Sequence, residues 1–177
     1  MALINTTTTG VLGSTFYADG TGDLTIQQNG TTVNKITSAP AFSAYLGSNQ
    51  TPTNATYTKV NINTIVFDTA SCFNTSTYRF TPNVAGYYQI QAACRISAST
   101  SASTDVWAIY KNGANFAELN IATSPAQFDN RVVSSLISMN GTTDYVEFYC
   151  YINAASGQTF NAGSNVTWFQ GFLVRLA

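Results

Sequence analysis

Over much of the chain after Pro40, apolar side chains recur at every second position, and this period constrains the fold more than any other feature. In "YYQIQAACRI", Tyr88, Ile90, Ala92, Cys94 and Ile96 fall on one face and Gln89, Gln91 and Arg95 on the other. "DYVEFYCYIN" sets Val146, Phe148, Cys150 and Ile152 against Tyr145, Glu147, Tyr149 and Tyr151. "NVTWFQGFLVRL" alternates Val166, Trp168, Gln170, Phe172, Val174 and Leu176 with Thr167, Phe169, Gly171, Leu173 and Arg175. Successive side chains of a strand point to opposite faces, so these runs read as half-buried strands. "STDVWAIYKNG" adds a strand that ends in a Lys111-Asn112-Gly113 turn. No window carries a helical stripe and there is no internal repeat. The expectation is an all-β, antiparallel sandwich.

Two of these strands carry large apolar or aromatic groups on both faces. Phe169 and Leu173 oppose Trp168 and Phe172; Tyr149 and Tyr151 oppose Phe148 and Cys150. A one-sided core needs one of the two faces. The other is either a scatter of exposed rings or a second buried surface. Aromatic rings suit interfaces, where the ring buries area and a phenol still finds a partner. Subunit association is therefore expected, with Tyr149, Tyr151, Phe169 and Leu173 as interface residues.

Residues 1–39 differ in texture, being small, polar and glycine-rich. Within "DLTIQQNGTTVNKI", Leu24, Ile26, Val33 and Ile36 flank Asn29-Gly30. Asn-Gly between β-like runs signals a two-residue hairpin turn, because both residues accept positive φ. An isolated hairpin is marginal in water, so this one is expected to pack on something larger, as an anchoring or docking segment. A disordered tail or a linker is the other reading of this stretch. The domain boundary falls at 39/40, with 40–177 as the sandwich.

Composition excludes several functions. Charged residues make up 8% of the chain and its net charge is −1. The seven cations, Lys35, Lys59, Lys111, Arg79, Arg95, Arg131 and Arg175, are scattered, so no phosphate-binding patch is expected and nucleic acid is not a partner. No histidine is present. The commonest general base and transition-metal ligand is thus missing, and no catalytic, cofactor-binding or metal site is expected. Cys72, Cys94 and Cys150 show no CxxC spacing. Their number is odd, and they read as small core residues, with a Cys94–Cys150 bridge left open. The start, "MALINTTTTG", lacks the charged and apolar regions of a secretion signal, and no run is long enough for a membrane span. Synthesis in a cytoplasm without export, and no membrane insertion, are expected. A surface so poor in charge suits a subunit of an assembly.

Several stretches from Pro40 onward occur in the order of the C1q/TNF-like jelly-roll family, in its C1q branch. "PAFSAYL" at 40–46 resembles the family's opening strand, and Ile65-Val66-Phe67-Asp68 its next core strand. "YRFTPNVAGYYQI" at 78–90 is similar to the central signature of aromatic strand end, proline turn, glycine and tyrosine-bearing strand. Trp107 to Gly113 resembles the strand with a KNG turn, Asp144 to Phe148 the D-x-V strand, and Phe169 to Val174 the closing F-x-G-F-L strand. Pro82 stands one position early, with Asn83 where the proline is usual, and no collagen repeat or coiled coil precedes the domain. Within residues 1–39, "GTGDLTIQQNG" at 20–30 is similar to the starts of small virion proteins of tailed phages.

The resemblance implies a jelly-roll homotrimer whose aromatic second faces meet near a threefold axis. It further implies a non-enzymatic virion protein, mounted through residues 1–39 on capsid or tail as a decoration (cement) protein or short fibre. The alternative is a carbohydrate- or receptor-binding adhesion module facing a host-surface glycan. Its candidate loops are 47–58, 97–105 and 153–165, which also read as ordinary solvated turns.

Overall fold

The computed structural model describes residues 14–18, 24–28, 31–36, 39–98, 102–122 and 128–177. The chain divides into two compact units, Met1–Ala39 and Pro40–Ala177. In the first, β1 (Ser14–Ala18), β2 (Leu24–Gln28) and β3 (Thr31–Ile36) form an antiparallel sheet in that order. β2 and β3 run from Leu24 opposite Ile36 to Gln28 opposite Thr31, with a register shift between Ile26 and Gln27. This is the pairing expected of the hairpin, although Asn29 and Gly30 themselves lie outside the described residues. β1 is a third strand that the residue pattern had not singled out.

The second unit is all-β. Its strands are β4 (Ala41–Tyr45), β5 (Thr58–Lys59), β6 (Thr64–Asp68), β7 (Phe73–Asn74), β8 (Arg79–Phe80) and β9 (Gly86–Ser97). They continue with β10 (Ala102–Lys111), β11 (Ala114–Ile121), β12 (Phe128–Met139), β13 (Val146–Ala154), β14 (Thr159–Asn161) and β15 (Trp168–Leu176). Two antiparallel sheets result. One has the order β12-β9-β15-β4-β6, with β14 also on β9; the other has the order β11-β10-β13-β8-β7, with β5 on β13.

The inward faces of β9 and β13 are the ones the alternation specified. Tyr88, Ile90, Ala92, Cys94 and Ile96 are buried, as are Val146, Phe148, Cys150 and Ile152. Between the sheets Phe42 stacks on Phe80 with centroids 4.3 Å apart and meets Phe169 edge-on at 5.1 Å. The Trp107 indole of β10 donates to the Cys94 carbonyl of β9 across the interior, at 2.7 Å. Its one polar atom is thereby satisfied where water cannot reach. All three cysteines are free and buried. Burial, and then a hydrogen bond with the Cys94 thiol, pushes the Cys150 thiol well above its ordinary range. These thiols pack as apolar groups and are poor nucleophiles.

The turn in "RFTPNVAGYYQI" owes its specificity to two contacts. The buried Tyr88 hydroxyl donates to the Val84 carbonyl, 2.8 Å away, and ties β9 back to the turn before it. A Cβ on Gly86 would stand 2.5 Å from the Arg175 carbonyl oxygen of β15, so the glycine is required by close strand approach. The KNG turn places Asn112 at φ 54° and Gly113 at φ 79°, the two left-handed residues that a tight hairpin between β10 and β11 needs.

Candidate binding surfaces

Each sheet turns one face outward, and the two outer faces differ in chemistry. Strands of the β9 sheet carry nine exposed large apolar residues: Ile65, Val66 and Phe67 on β6, Tyr87 on β9, Val132 and Leu136 on β12, and Phe172, Val174 and Leu176 on β15. Among the described residues only Tyr57 and Phe116 are large, apolar and exposed elsewhere. Exposures of 55% at Leu136, 51% at Phe172 and 54% at Val174 are far above those of core positions. Tyr87, Leu136, Val174 and Leu176, with Arg175 and Ala177, line a groove of about 400 Å³. Toward the middle of this sheet the outward residues turn polar. Gln170 donates to Gln91 at 3.0 Å, and Gln89 to the Ser134 hydroxyl at 2.6 Å. This is an amide-and-hydroxyl surface rather than a charged one.

The outer face of the other sheet is built from tyrosines. Tyr149 and Tyr151 of β13 lie opposite Ala108 and Val106 of β10. The Tyr110 ring stacks on Tyr149 at 4.1 Å, while Tyr57, just before β5, stands 5.3 Å from Tyr151 and 6.1 Å from Tyr110. These half-exposed rings leave Val106 and Ala108 buried although both point outward. The Tyr57 hydroxyl donates to Glu118 Oε2 at 3.0 Å, and Asn115 Nδ2 donates to the same oxygen at 2.6 Å. Desolvation, then the bond to Glu118, pushes Tyr57 up to about 12. Burial also raises Tyr110 and Tyr149.

Beside the tyrosines, the buried Glu147 carboxylate accepts from Lys59 and from Arg79 Nε, the latter at 2.8 Å. Two partly exposed cations thus satisfy one carboxylate that has left water, as a buried charge requires. Arg79 also lies 4.0 Å over the Tyr145 ring, and Lys59 is 5.8 Å from the centre of Tyr149. Among the described residues no group of three or more metal-ligating side chains comes together. No helix among them is long and apolar enough to cross a membrane.

The four residues assigned to an interface from sequence separate. Tyr149 and Tyr151 lie on the outside of the β13 sheet. Phe169 is fully buried in the sandwich core, and Leu173 packs against that core from the same inward face of β15. The assignment of Phe169 and Leu173 to a surface is therefore corrected: β15 is apolar on both sides, and a period of two cannot say which side is in. Its exposed apolar residues are Phe172, on the outward face, and Val174 and Leu176, at and beyond the register shift near the strand's end. Of the hairpin residues, Leu24, Ile26, Val33 and Ile36 lie in β2 and β3, with no further role visible in the strand pairing. Sequence reasoning missed Tyr110, Asn115 and Glu118, whose association depends on pairing between β10, β11 and β13. Tyr57 falls in the 47–58 segment already marked as a candidate loop.

No protein-family model matches the sequence, and neither does any curated protein. Solved structures do match in shape. The globular domain of zebrafish complement 1qA protein aligns with a TM-score of 0.57 at 15% identity, over 78% of this chain and 99% of that one. Murine APRIL aligns with a TM-score of 0.59 at 8% identity, over 77% and 99%. Eiger TNF from S. frugiperda gives 0.56 at 9% identity, over 78% and 93%. At such identities the likeness speaks for the path of the chain, and with the two antiparallel sheets described above it gives this protein the C1q/TNF-like jelly-roll fold.

Proposed function

We propose that this protein is a non-enzymatic structural subunit, a jelly-roll homotrimer carried on a tailed-phage particle through its N-terminal unit. The observation that carries self-association is the gathering of nine exposed apolar residues on the strands of the β9 sheet. Apolar surface of that extent on the strands of one sheet of a charge-poor domain is unfavourable in water, and a second and third copy of the same sheet would cover much of it. The sequence of residues 1–39, with its resemblance to the starts of phage virion proteins, supports mounting on capsid or tail as a cement protein or short fibre. Three joined copies give avidity to whatever each one touches, so no catalysis is needed.

Light scattering on the purified protein tests the association: a mass near three times 19.0 kDa is expected, and a monomer at micromolar concentration sinks it. Removal of residues 1–39 should leave a folded trimer that no longer binds particles. Loss of folding on truncation would show that the first unit belongs to the core and is not a mount. A second reading, recognition of a host-surface glycan, draws its support from the tyrosine face, which the apolar-face association leaves uncovered.

A further inference from the structure

Tyr57, Tyr110, Tyr149 and Tyr151 form one connected set of rings, with centroid spacings of 4.1 to 6.1 Å, drawn from β10, β13 and the segment before β5. The set ends at Glu118 and Asn115 of β11, both exposed. Tyr57 is the most open ring, 37% exposed, and its hydroxyl is fixed on Glu118. We infer that this face is a binding platform for a neutral saccharide, with Tyr57 as the stacking ring and Glu118 and Asn115 as the groups that read hydroxyls.

Three features favour a saccharide over other occupants. A pyranose has an apolar C–H face and a rim of hydroxyls. It therefore asks for a ring to lie on and for acceptors and donors beside that ring, and Tyr57, Glu118 and Asn115 are arranged in that way. Both internal hydrogen bonds to Glu118 fall on Oε2, so among the described residues Oε1 is the acceptor left for a ligand hydroxyl. The nearby cations Lys59 and Arg79 are engaged by Glu147. Lys59 and Arg79 against Glu147 and Glu118 sum to zero charge, so this face offers an anionic ligand such as a phosphate no net attraction. The side chains are also held before any ligand arrives, by ring packing and by the Tyr57–Glu118 bond, which lowers the ordering cost of binding.

The inference rests on the glycan reading above and supplies its site. A single copy should bind weakly, with a Kd on the order of 1 mM, and a trimer should bind a multivalent surface more tightly. The test is calorimetric titration of the full-length protein with maltoheptaose, cellohexaose, chitohexaose and a galactose-terminated oligosaccharide. Tyr57→Ala, Tyr57→Phe and Glu118→Gln are titrated in parallel, with circular dichroism and light scattering to check fold and mass.

Saturable binding of at least one sugar, weakened about tenfold or more by Glu118→Gln and by Tyr57→Ala, is expected. Tyr57→Phe keeps the stacking ring and should lose less than Tyr57→Ala. Binding that ignores all three substitutions would overturn the site while leaving the glycan reading intact. Absence of binding to every sugar would overturn both. A change of mass in a folded Tyr57 variant would make this face a protein contact and equally overturn the inference.

Discussion

Phe169 shows what one residue's surroundings decide. It meets Phe42 edge-on and stacks with Phe148 at 6.1 Å, with no exposed surface. Phe169→Ala should cost about 3–5 kcal/mol through lost burial and a residual cavity, seen as a lower urea midpoint. Phe169→Asp should give no folded protein, whereas Tyr149→Asp should fold. A folded, soluble Phe169→Asp monomer would restore the surface role that the sequence pattern had assigned it. Tyr88 gives a prediction in pH. Desolvation raises its phenol to about 12 from the ordinary 10.0, and Tyr57 is raised as far. Folding therefore favours the neutral phenols. Their contribution is complete below the unfolded value and is withdrawn as pH climbs from about 10 to about 12. Urea midpoints should fall across that interval and fall less steeply in Tyr88→Phe. That variant also loses the bond to Val84, at about 1 kcal/mol near neutral pH. A midpoint independent of pH up to about 12 would mean that these phenols are not desolvated.

At the scale of elements, the tight turns were the most legible features and the sheet partners the least. Lys111-Asn112-Gly113 names its own geometry, because two consecutive left-handed residues favour Asn and Gly. Gly113→Ala should cost about 1 kcal/mol, read from thermal or urea unfolding. An unchanged stability would mean the turn relaxes to another type. β9 and β13 were legible for a related reason: each has one clearly apolar face, so burial follows from alternation. β15 was not. Its two apolar faces are resolved by neighbours, since Phe169 faces Phe42 and Phe148 while Phe172 faces solvent. A register shift between Leu173 and Arg175 then changes the phase of the strand's end. The tyrosine cluster was hidden for yet another reason. Tyr57 and Glu118 are 61 positions apart and meet through their strands' neighbours. Nothing in either local sequence marks the pairing.

For the whole molecule, the contrast between outer faces yields the most direct test. Leu136→Asp and Val174→Asp each put a charge into the apolar groove without touching the core. Either should reduce the scattering mass toward 19.0 kDa while leaving the circular dichroism of the sandwich in place. Mass unchanged in both would place the association elsewhere, with the tyrosine face as the first alternative. The double variant should in addition be more soluble than the parent if it remains a monomer, since charge replaces apolar surface.

By itself, the sequence determined that this protein is an antiparallel β-sandwich, where its tight turns fall, and which side chains of β9 and β13 line the core. These properties depend on neighbours one to four positions apart, through side-chain alternation and backbone preference. Only the tertiary structure decided which side of β15 is interior, that nine exposed apolar residues gather on strands of one sheet, and that four tyrosines and Glu118 form one surface on the other. Those outcomes depend on strand order and register, which are fixed by contacts between distant segments and leave no trace in any short stretch of chain.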